Sequence, residues 1–440
     1  MTHDEALAYW FGRINYEQRV PRPGELRLDR MHALLQQLGQ PQQRLRIVHI
    51  AGSKGKGSTA AMLAAFLRRA GYRTGLFTSP HLMRPEERVQ VDGAAISSAE
   101  LTALLTEIRE LEALHFRSPE SKPTFFELCT AIGFLHFARR RVDVAVVEVG
   151  LGGRFDATNV CRPLVSLITS ISYDHTDMLG HTLADICMEK AGIVKPGVPV
   201  ISGVTAAEAR PVLERICRDR QAPLRRLDGE FRYEYQPGHV DAAEAKRPRV
   251  QVTTERRVWP IMEMGLLGRH QAANAAVAIA TVEQLRRDGL RITDGDVSAG
   301  LAGVFWPARL EVLGKRPLVV LDCAHNVASA QALVDTLRST FPPGRRLLIF
   351  AGSSDKDLAG MLRVLAPEFA CAYVTRFRDS PRSTPPEELA RLARAAGMPA
   401  EMCASASEAW QRARGQAGPD DLICITGSVF LAGELRREIG

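Results

Sequence analysis

The stretch RIVHIAGSKGKGST, residues 46–59, constrains the fold more than any other part of the chain. It opens as a β-branched apolar run, passes through Gly52, Gly55 and Gly57, and from Lys56 changes to helical spacing. Leu63, Phe66, Leu67 and Ala70 then share one helix face, and Gly71 stands where a C-terminal cap is expected. A strand that turns through glycines directly into a helix is the opening unit of a parallel α/β sheet. The same loop suits an anion. Glycines let backbone N–H groups turn toward phosphate, the helix adds its positive end, Lys56 adds a charge and Ser58 a hydroxyl. Gly57 stands where the strict phosphate-loop pattern has Ser or Thr after the lysine, so by itself the loop is compatible with bound nucleotide or with an ordinary βα turn. Lys54 is an extra cation beside the loop, open to two readings: tightening the hold on phosphate, or pointing away as a solvated side chain.

The remaining pattern predicts two α/β domains. VDVAVVEVG (142–150) and PLVSLITSI (163–171) are nearly continuous apolar strands, as in a parallel sheet covered on both faces. Ser97 with Glu100 and Thr124 with Glu127 form capping boxes ahead of apolar stripes, predicting two helices. Residues 223–265 read as peripheral β structure punctuated by Pro237, Gly238, Pro248 and Pro260, followed by an alanine-rich helix from Gln271 to Arg287. Alternation restarts with PLVVLD, RRLLIF, CAYVTRF and DLICITG. The expected division is a nucleotide-binding domain with a mostly parallel sheet over 1–300 and a smaller Rossmann-like α/β domain over 301–440.

Composition excludes several classes. No apolar run among the 440 residues approaches the roughly 20 needed to cross a membrane, and the mixed, charged start MTHDEALAYWFGRINYEQR is neither a secretory signal nor a transit peptide. A cytoplasmic, membrane-free protein is expected. The eight cysteines are scattered without a CxxC pair, which argues against a disulfide framework and against a thiolate zinc site. The formal charge of +7 favours anionic small molecules, but its arginines are interspersed with acids and no nucleic-acid-binding motif is present.

Candidate chemistry sits after the predicted strands, in TSPHL (78–82), VEVGLGGRFDATN (147–159) and ITSISYDHTDMLG (168–180), with EKAGIVK (189–195) beyond them. Ser79, Glu148 and His175 offer a hydroxyl, a carboxylate and an imidazole near the glycine loop. Magnesium prefers oxygen, so Ser79 and Glu148 are ordinary ligands for it and a histidine less so. Each also has a plainer reading: Ser79 in a turn before Pro80, Glu148 paired with an arginine, His175 capping a turn. From the residues alone, Lys190 is a helix-surface amine.

Taken in order, AGSKGKGS, TSPHL, EVGLGGRFDATN, DHTDMLG, EKAGI, LGRHQAANAAVA, WPARLE, LDCAHN, SSDKD and TGS resemble the folylpolyglutamate synthase and dihydrofolate synthase family, a branch of the Mur ligase superfamily. The resemblance spans nearly the whole chain. It implies an ATP-dependent ligase, monomeric, acting on dihydropteroate or folates and L-glutamate. It implies that Gly52, Gly55, Lys56, Gly57 and Ser58 cradle ATP phosphates, that Ser79, Glu148 and His175 position Mg2+, and that Lys190 is carbamylated to hold a second Mg2+. Asn274, Arg309 and Asp322 match positions for adenine, phosphate and ribose, with ATP bridging the domains and His325 assisting near the cleft. For the pterin it implies Leu28, Asp29, Arg30, Phe126, Phe155 and Asp156; an aromatic ring can stack on a pterin, although Phe126 on an apolar helix equally suits the core. The chain departs from the family's usual Thr-Asn at Ser53 and Lys54, and from its usual glycines at Ala308 and Cys323. Two rivals stand beside this reading: another Mur-type ligase joining amino acids to a cell-wall nucleotide precursor, disfavoured by TSPHL and GGRFDATN, and a nucleotide- or nucleic-acid-binding P-loop protein without ligase activity.

Overall fold

The computed structural model describes residues 1–17, 19, 24–378 and 382–439, and the chain forms two compact units. The first comprises residues 1–233, 252–260 and 273–303. Its eight-stranded sheet is built from β1 (Ile47–Ala51), β2 (Thr74–Phe77), β3 (Val89–Val91), β4 (Ala94–Ala95), β5 (Val144–Glu148), β6 (Val165–Ile168), β7 (Val200–Ser202) and β8 (Leu224–Arg226), in the order β4-β3-β2-β5-β1-β6-β7-β8. Only the β2-β3 and β3-β4 pairings are antiparallel. All residues of β1, β5 and β6 are buried, which is why these strands read as unbroken apolar runs rather than as alternating ones.

The helices begin where local chemistry directs. Ser97 and Thr124 cap Ser98–His115 and Phe125–Arg139, each in a capping box with the glutamate three residues on. The amino-terminal helix His3–Phe11 packs on the second of these: Trp10 stacks on Phe125 with ring centroids 5.1 Å apart and donates its indole N–H to Phe125 O at 3.0 Å. The sheet order places β1 between β5 and β6, with Ile50 opposite Glu148 and Ala51 opposite Ile168. The loops leaving the carboxyl ends of these three strands are therefore neighbours, the usual position for a ligand in such sheets.

The short strands β9 (Phe231–Gln236), β10 (His239–Val240), β11 (Ala245–Lys246), β12 (Arg249–Thr254) and β13 (Met262–Glu263) make up the expected irregular β region. The second unit comprises residues 234–251, 261–272 and 304–440. It holds a six-stranded sheet of β14 (Glu311–Lys315), β15 (Leu318–Leu321), β16 (Arg346–Phe350), β17 (Cys371–Val374), β18 (Ala400–Met402) and β19 (Leu422–Thr426), ordered β14-β15-β19-β16-β17-β18. Only β14 is antiparallel to its neighbour. The stretches 234–251 and 261–272 lie with this unit, not with the preceding residues as the sequence reading had them, because Val240 and Leu267 pack into its apolar core. All eight cysteines are free thiols, every one buried except the half-buried Cys371. Among the described residues no helix is long and apolar enough to cross a membrane.

Candidate active site

The glycine loop is held from below by the segment after β6. Ser53 N donates to Ser170 O at 2.8 Å, Lys54 N to Ser170 Oγ at 3.0 Å, and Thr169 Oγ1 to Lys54 O at 2.6 Å. Gly52 and Gly55 have φ of +151° and +83°, conformations that suit glycine. Space requires them too: a Cβ on Gly52 would sit 2.0 Å from Thr169 Oγ1, and one on Gly55 would sit 2.2 Å from Asn274 Oδ1. The helix Lys56–Arg69 starts with no side-chain cap and no acid in its first turn. Thr59 N, bonded to Gly55 O at 2.9 Å, is the first amide satisfied by the helix. Helix geometry therefore leaves the N–H groups of Gly55, Lys56, Gly57 and Ser58 for an outside acceptor, and the helix dipole makes an anion the favoured one.

Lys56 Nζ lies 3.9 Å from Glu148 Oε1, so the carboxylate at the end of β5 pairs with the loop lysine. Glu148 is 4% exposed, and its other oxygen is 3.4 Å from the backbone N of Ser79 in the next loop. His175 does cap a turn: it precedes Thr176–Leu179 with φ +52°, a left-handed conformation uncommon outside glycine. Its N–H donates to Asp174 Oδ1 at 3.1 Å, and Asp174 Oδ2 is 2.7 Å from Lys54 Nζ. Lys54 is thus ion-paired, where sequence left open a hold on phosphate or a solvated side chain.

Lys190 requires the larger correction. It ends the helix Leu183–Lys190 yet is only 4% exposed, not a surface amine. The glycines of GGRF explain its burial. Arg154 N donates to Glu189 O at 2.9 Å, and a Cβ on Gly153 would meet Lys190 O at 2.6 Å, so the loop lies directly on the end of that helix. Burial, with the nearby positive charge of Lys56 in support, pulls the Lys190 ammonium down to about 7. Its proton is therefore held less tightly than that of an exposed lysine.

The residues expected to face the pterin come from the starts of helices Asp29–Gln37 and Phe125–Arg139 and from the loop before Ala157, three segments that pack on one another. Asp29 is exposed in the first turn of Asp29–Gln37. Arg30 Nε is 3.1 Å from Glu127, where it ties that helix to Phe125–Arg139. Phe126 is half-buried, meeting Phe77 edge-on at 6.1 Å and lying so close to Gly150 that a Cβ there would be 2.4 Å from its ring. Phe155 is 42% exposed, with the Arg154 guanidinium 4.9 Å from its ring centre. Asp156 is buried and accepts from Leu151 N at 2.9 Å and Thr158 N at 3.0 Å. Burial pushes its carboxyl up while the Thr158 and Leu151 bonds push back. In this conformation it organises its own loop.

Several participants escaped the sequence reading. Asp174, Thr169 and Ser170 lie within ITSISYDHTDMLG, where nothing local marks them out for a role. Arg88 is fully buried, forks onto Glu17 at 2.7 and 2.8 Å, and donates to Nδ1 of His81, in TSPHL, at 2.8 Å. Burial, and next the Arg88 charge, hold His81 down at about 4, a neutral acceptor. No local pattern announces a pair separated by 71 residues.

In the second unit, Arg309 lies between Ala308 and Leu310, both at positive φ of 54° and 51°. Its guanidinium bonds Ala308 O at 3.1 Å and Cys323 Sγ. Asp322, buried, accepts from Ala324 N at 2.7 Å and Leu310 N at 3.1 Å; burial raises its carboxyl and Arg309 opposes the rise. His325 Nδ1 is 2.9 Å from Cys323 O. These residues share one loop cluster of that unit. The open cavity of about 670 Å³ lies elsewhere, beside Arg68, Arg69 and Arg73 at the far end of helix Lys56–Arg69. The chemistry points to the loop end of that helix, so the cavity is not the candidate site.

Residues 50–282 match the Mur ligase middle domain, and residues 308–429 match the glutamate ligase domain of Mur ligases. Dihydrofolate synthase/folylpolyglutamate synthase of Bacillus subtilis is 33% identical, the similarity covering 100% of this chain and 99% of that protein. Folylpolyglutamate synthase of Lacticaseibacillus casei is 34% identical with the same coverage. Among solved structures, Mycobacterium tuberculosis folylpolyglutamate synthase complexed with ADP superposes with a TM-score of 0.88 at 35% identity, covering 100% of this chain and 98% of the other. E. coli FolC in complex with DHPP and ADP gives 0.86 at 28% identity, covering 99% and 97%.

Proposed function

The chain belongs to the folylpolyglutamate synthase/dihydrofolate synthase family of Mur ligases, and from that premise we propose that it is an ATP-dependent amide ligase. It joins L-glutamate to dihydropteroate, to reduced folate polyglutamates, or to both, and releases ADP and phosphate. A free carboxylate resists an amine at neutral pH because oxide would have to leave. Transfer of the γ-phosphoryl group of ATP gives an acyl phosphate. The amine of glutamate attacks its carbonyl carbon, the bond to the phosphate oxygen breaks, and the amine proton is lost.

The protein's part in this reaction is positioning and charge stabilisation. The free N–H groups of Gly55 to Ser58 would hold the phosphates, and Lys56 would neutralise the charge that moves during transfer. Asn274 is the proposed adenine contact, with Arg309 and Asp322 proposed for phosphate and ribose, and His325 beside them. The aromatic rings of Phe126 and Phe155 suit a pterin, with Asp29, Arg30 and Asp156 as its proposed polar neighbours.

Among the described residues no group of three or more His, Cys, Asp or Glu side chains forms a metal cage. That suits magnesium, which takes few protein ligands and otherwise binds phosphate oxygens and water. Ser79, Glu148 and His175 would hold one ion and Lys190 as its carbamate a second, and bound magnesium supplies neutralisation of phosphate charge. The low proton affinity and burial of Lys190 support the carbamate, because addition of an amine to carbon dioxide requires the neutral form.

The observation that carries the proposal is the convergence of the uncapped helix start, Lys56 and Glu148 at one point, Lys56 and Glu148 being 3.9 Å apart. The test is phosphate release by the purified protein with ATP and Mg2+. Release that requires both a pteroate and glutamate supports the ligase, and release indifferent to either substrate overturns it. Dihydropteroate and a reduced folate, assayed in parallel, separate the two acceptors.

A further inference from the structure

Lys54 stands within the phosphate loop, and its backbone is already committed. Its N–H goes to Ser170 Oγ at 3.0 Å, and its carbonyl accepts from Thr169 Oγ1 at 2.6 Å and Ser170 Oγ at 3.1 Å. The peptide group therefore points into the protein, away from the run of free amides that begins at Gly55. The side chain also turns toward the protein. Nζ is 2.7 Å from Asp174 Oδ2, and the Asp174 side chain is only 6% exposed.

The second oxygen of Asp174 accepts the His175 N–H at 3.1 Å and lies 3.8 Å from His175 Nε2. One residue earlier in the loop, Ser53 Oγ donates to Ser172 O at 2.9 Å and accepts from Ser172 N at 3.0 Å. Ser53 and Lys54 thus clamp residues 172–174 at two points.

We propose that Lys54 is a positioning residue that acts through Asp174: the Lys54 to Asp174 pair locks the phosphate loop to the turn that presents His175, and Lys54 itself makes no contact with nucleotide. The inference rests on the ligase reading given above. The physical reason for the pair is that a carboxylate so little exposed is costly without a cation. The clamp also fixes the left-handed conformation of His175, which an isolated turn would not keep.

Lys54→Met, Asp174→Asn, the double variant and Lys54→Arg are compared by melting temperature, by steady-state kcat and KM for ATP, and by calorimetric titration with ADP. Each single loss should lower kcat at least tenfold, and the double variant should be no worse than the poorer single one. That non-additivity is the behaviour of a directly coupled charge pair, for which roughly tenfold is an ordinary coupling. Lys54→Arg should retain most of kcat. ADP affinity of the double variant should stay within about threefold of the parent, since no phosphate ligand has been removed.

Multiplying losses in kcat, or ADP affinity that falls equally in Lys54→Met and in the double variant, would make Lys54 a direct phosphate ligand and overturn the proposal. If Lys54→Met does not fold, Asp174→Asn and Lys54→Arg still decide it, because a phosphate ligand predicts unchanged kcat in Asp174→Asn. Absence of ligase turnover in the parent protein defeats the ligase reading alone, and the ADP titrations still report on the clamp.

Discussion

Replacing Gly55 by alanine tests whether the loop geometry is obligatory. The residue has φ +83° at the position just before helix Lys56–Arg69. A left-handed conformation costs a residue with a Cβ about 1–2 kcal/mol. The new methyl would also stand 2.2 Å from Asn274 Oδ1 and 2.9 Å from its Cγ, where carbon contacts ordinarily begin at about 3.5 Å. Asn274 is buried at 9% exposure, so either it or the loop must retreat by about 1 Å. Adding roughly 1 kcal/mol for that shift gives a destabilisation of about 2–3 kcal/mol, or a fall in melting temperature of roughly 3–6 °C for a unit of this size. A displacement of about 1 Å in a phosphate-binding loop is expected to reduce ligase turnover about a hundredfold. Asn274→Ala in the Gly55→Ala background removes the collision but leaves the backbone penalty. Against the Asn274→Ala control, it should regain about a third to a half of the lost stability. Scanning calorimetry gives the two stability terms, and glutamate-dependent phosphate release gives turnover. A Gly55→Ala protein with unchanged melting temperature, kcat and KM for ATP would refute the reasoning.

Lys56→Ala should lose turnover by about 10²–10³-fold with melting temperature nearly unchanged, since its side chain reaches into the candidate site and not the core; near-normal ligase activity in the folded variant removes the assigned role. Lys190→Ala should be inactive and partly rescued by small carboxylates, with a carbamate carbon visible by NMR in the parent under labelled bicarbonate; no rescue and no such signal would end the carbamate proposal. His49, bonded through Nε2 to Thr158 Oγ1 at 2.8 Å, is held by burial at about 3, far below its unfolded value near 6.5. Between those two values the unfolded chain binds a proton that the folded chain refuses, so stability falls as pH falls, by up to about 1.4 kcal/mol per pH unit. His49→Gln should lose one proton from that slope in urea titrations between pH 4 and 6, and identical slopes would contradict the assignment.

Some of this architecture was readable from local pattern because its causes are local. Burial on both faces makes β1, β5 and β6 continuous apolar runs, and the capping boxes at Ser97 and Thr124 are completed within three residues. The anion-binding character of Gly55 to Ser58 was visible for the same reason, since a helix that starts without a cap leaves its first amides free wherever it lies. The sequence by itself therefore determined the α/β class, the phosphate-loop element and, through motifs in order, the family.

Tertiary structure decided which charges meet. Lys54 and Asp174 are 120 residues apart in sequence, and Lys56 lies 92 before Glu148; they pair because the sheet order sets β1 between β5 and β6. Lys190 looked like a surface amine because EKAGI gives no sign of what will cover it. Its burial depends on Gly153 and Arg154 lying against the end of its helix, contacts between residues 35 and 37 positions apart in the chain. Side-chain identity sets what a group can do, while burial and the charge of its neighbours set its proton affinity, and both of those arise from contacts that residue order along the chain does not encode locally.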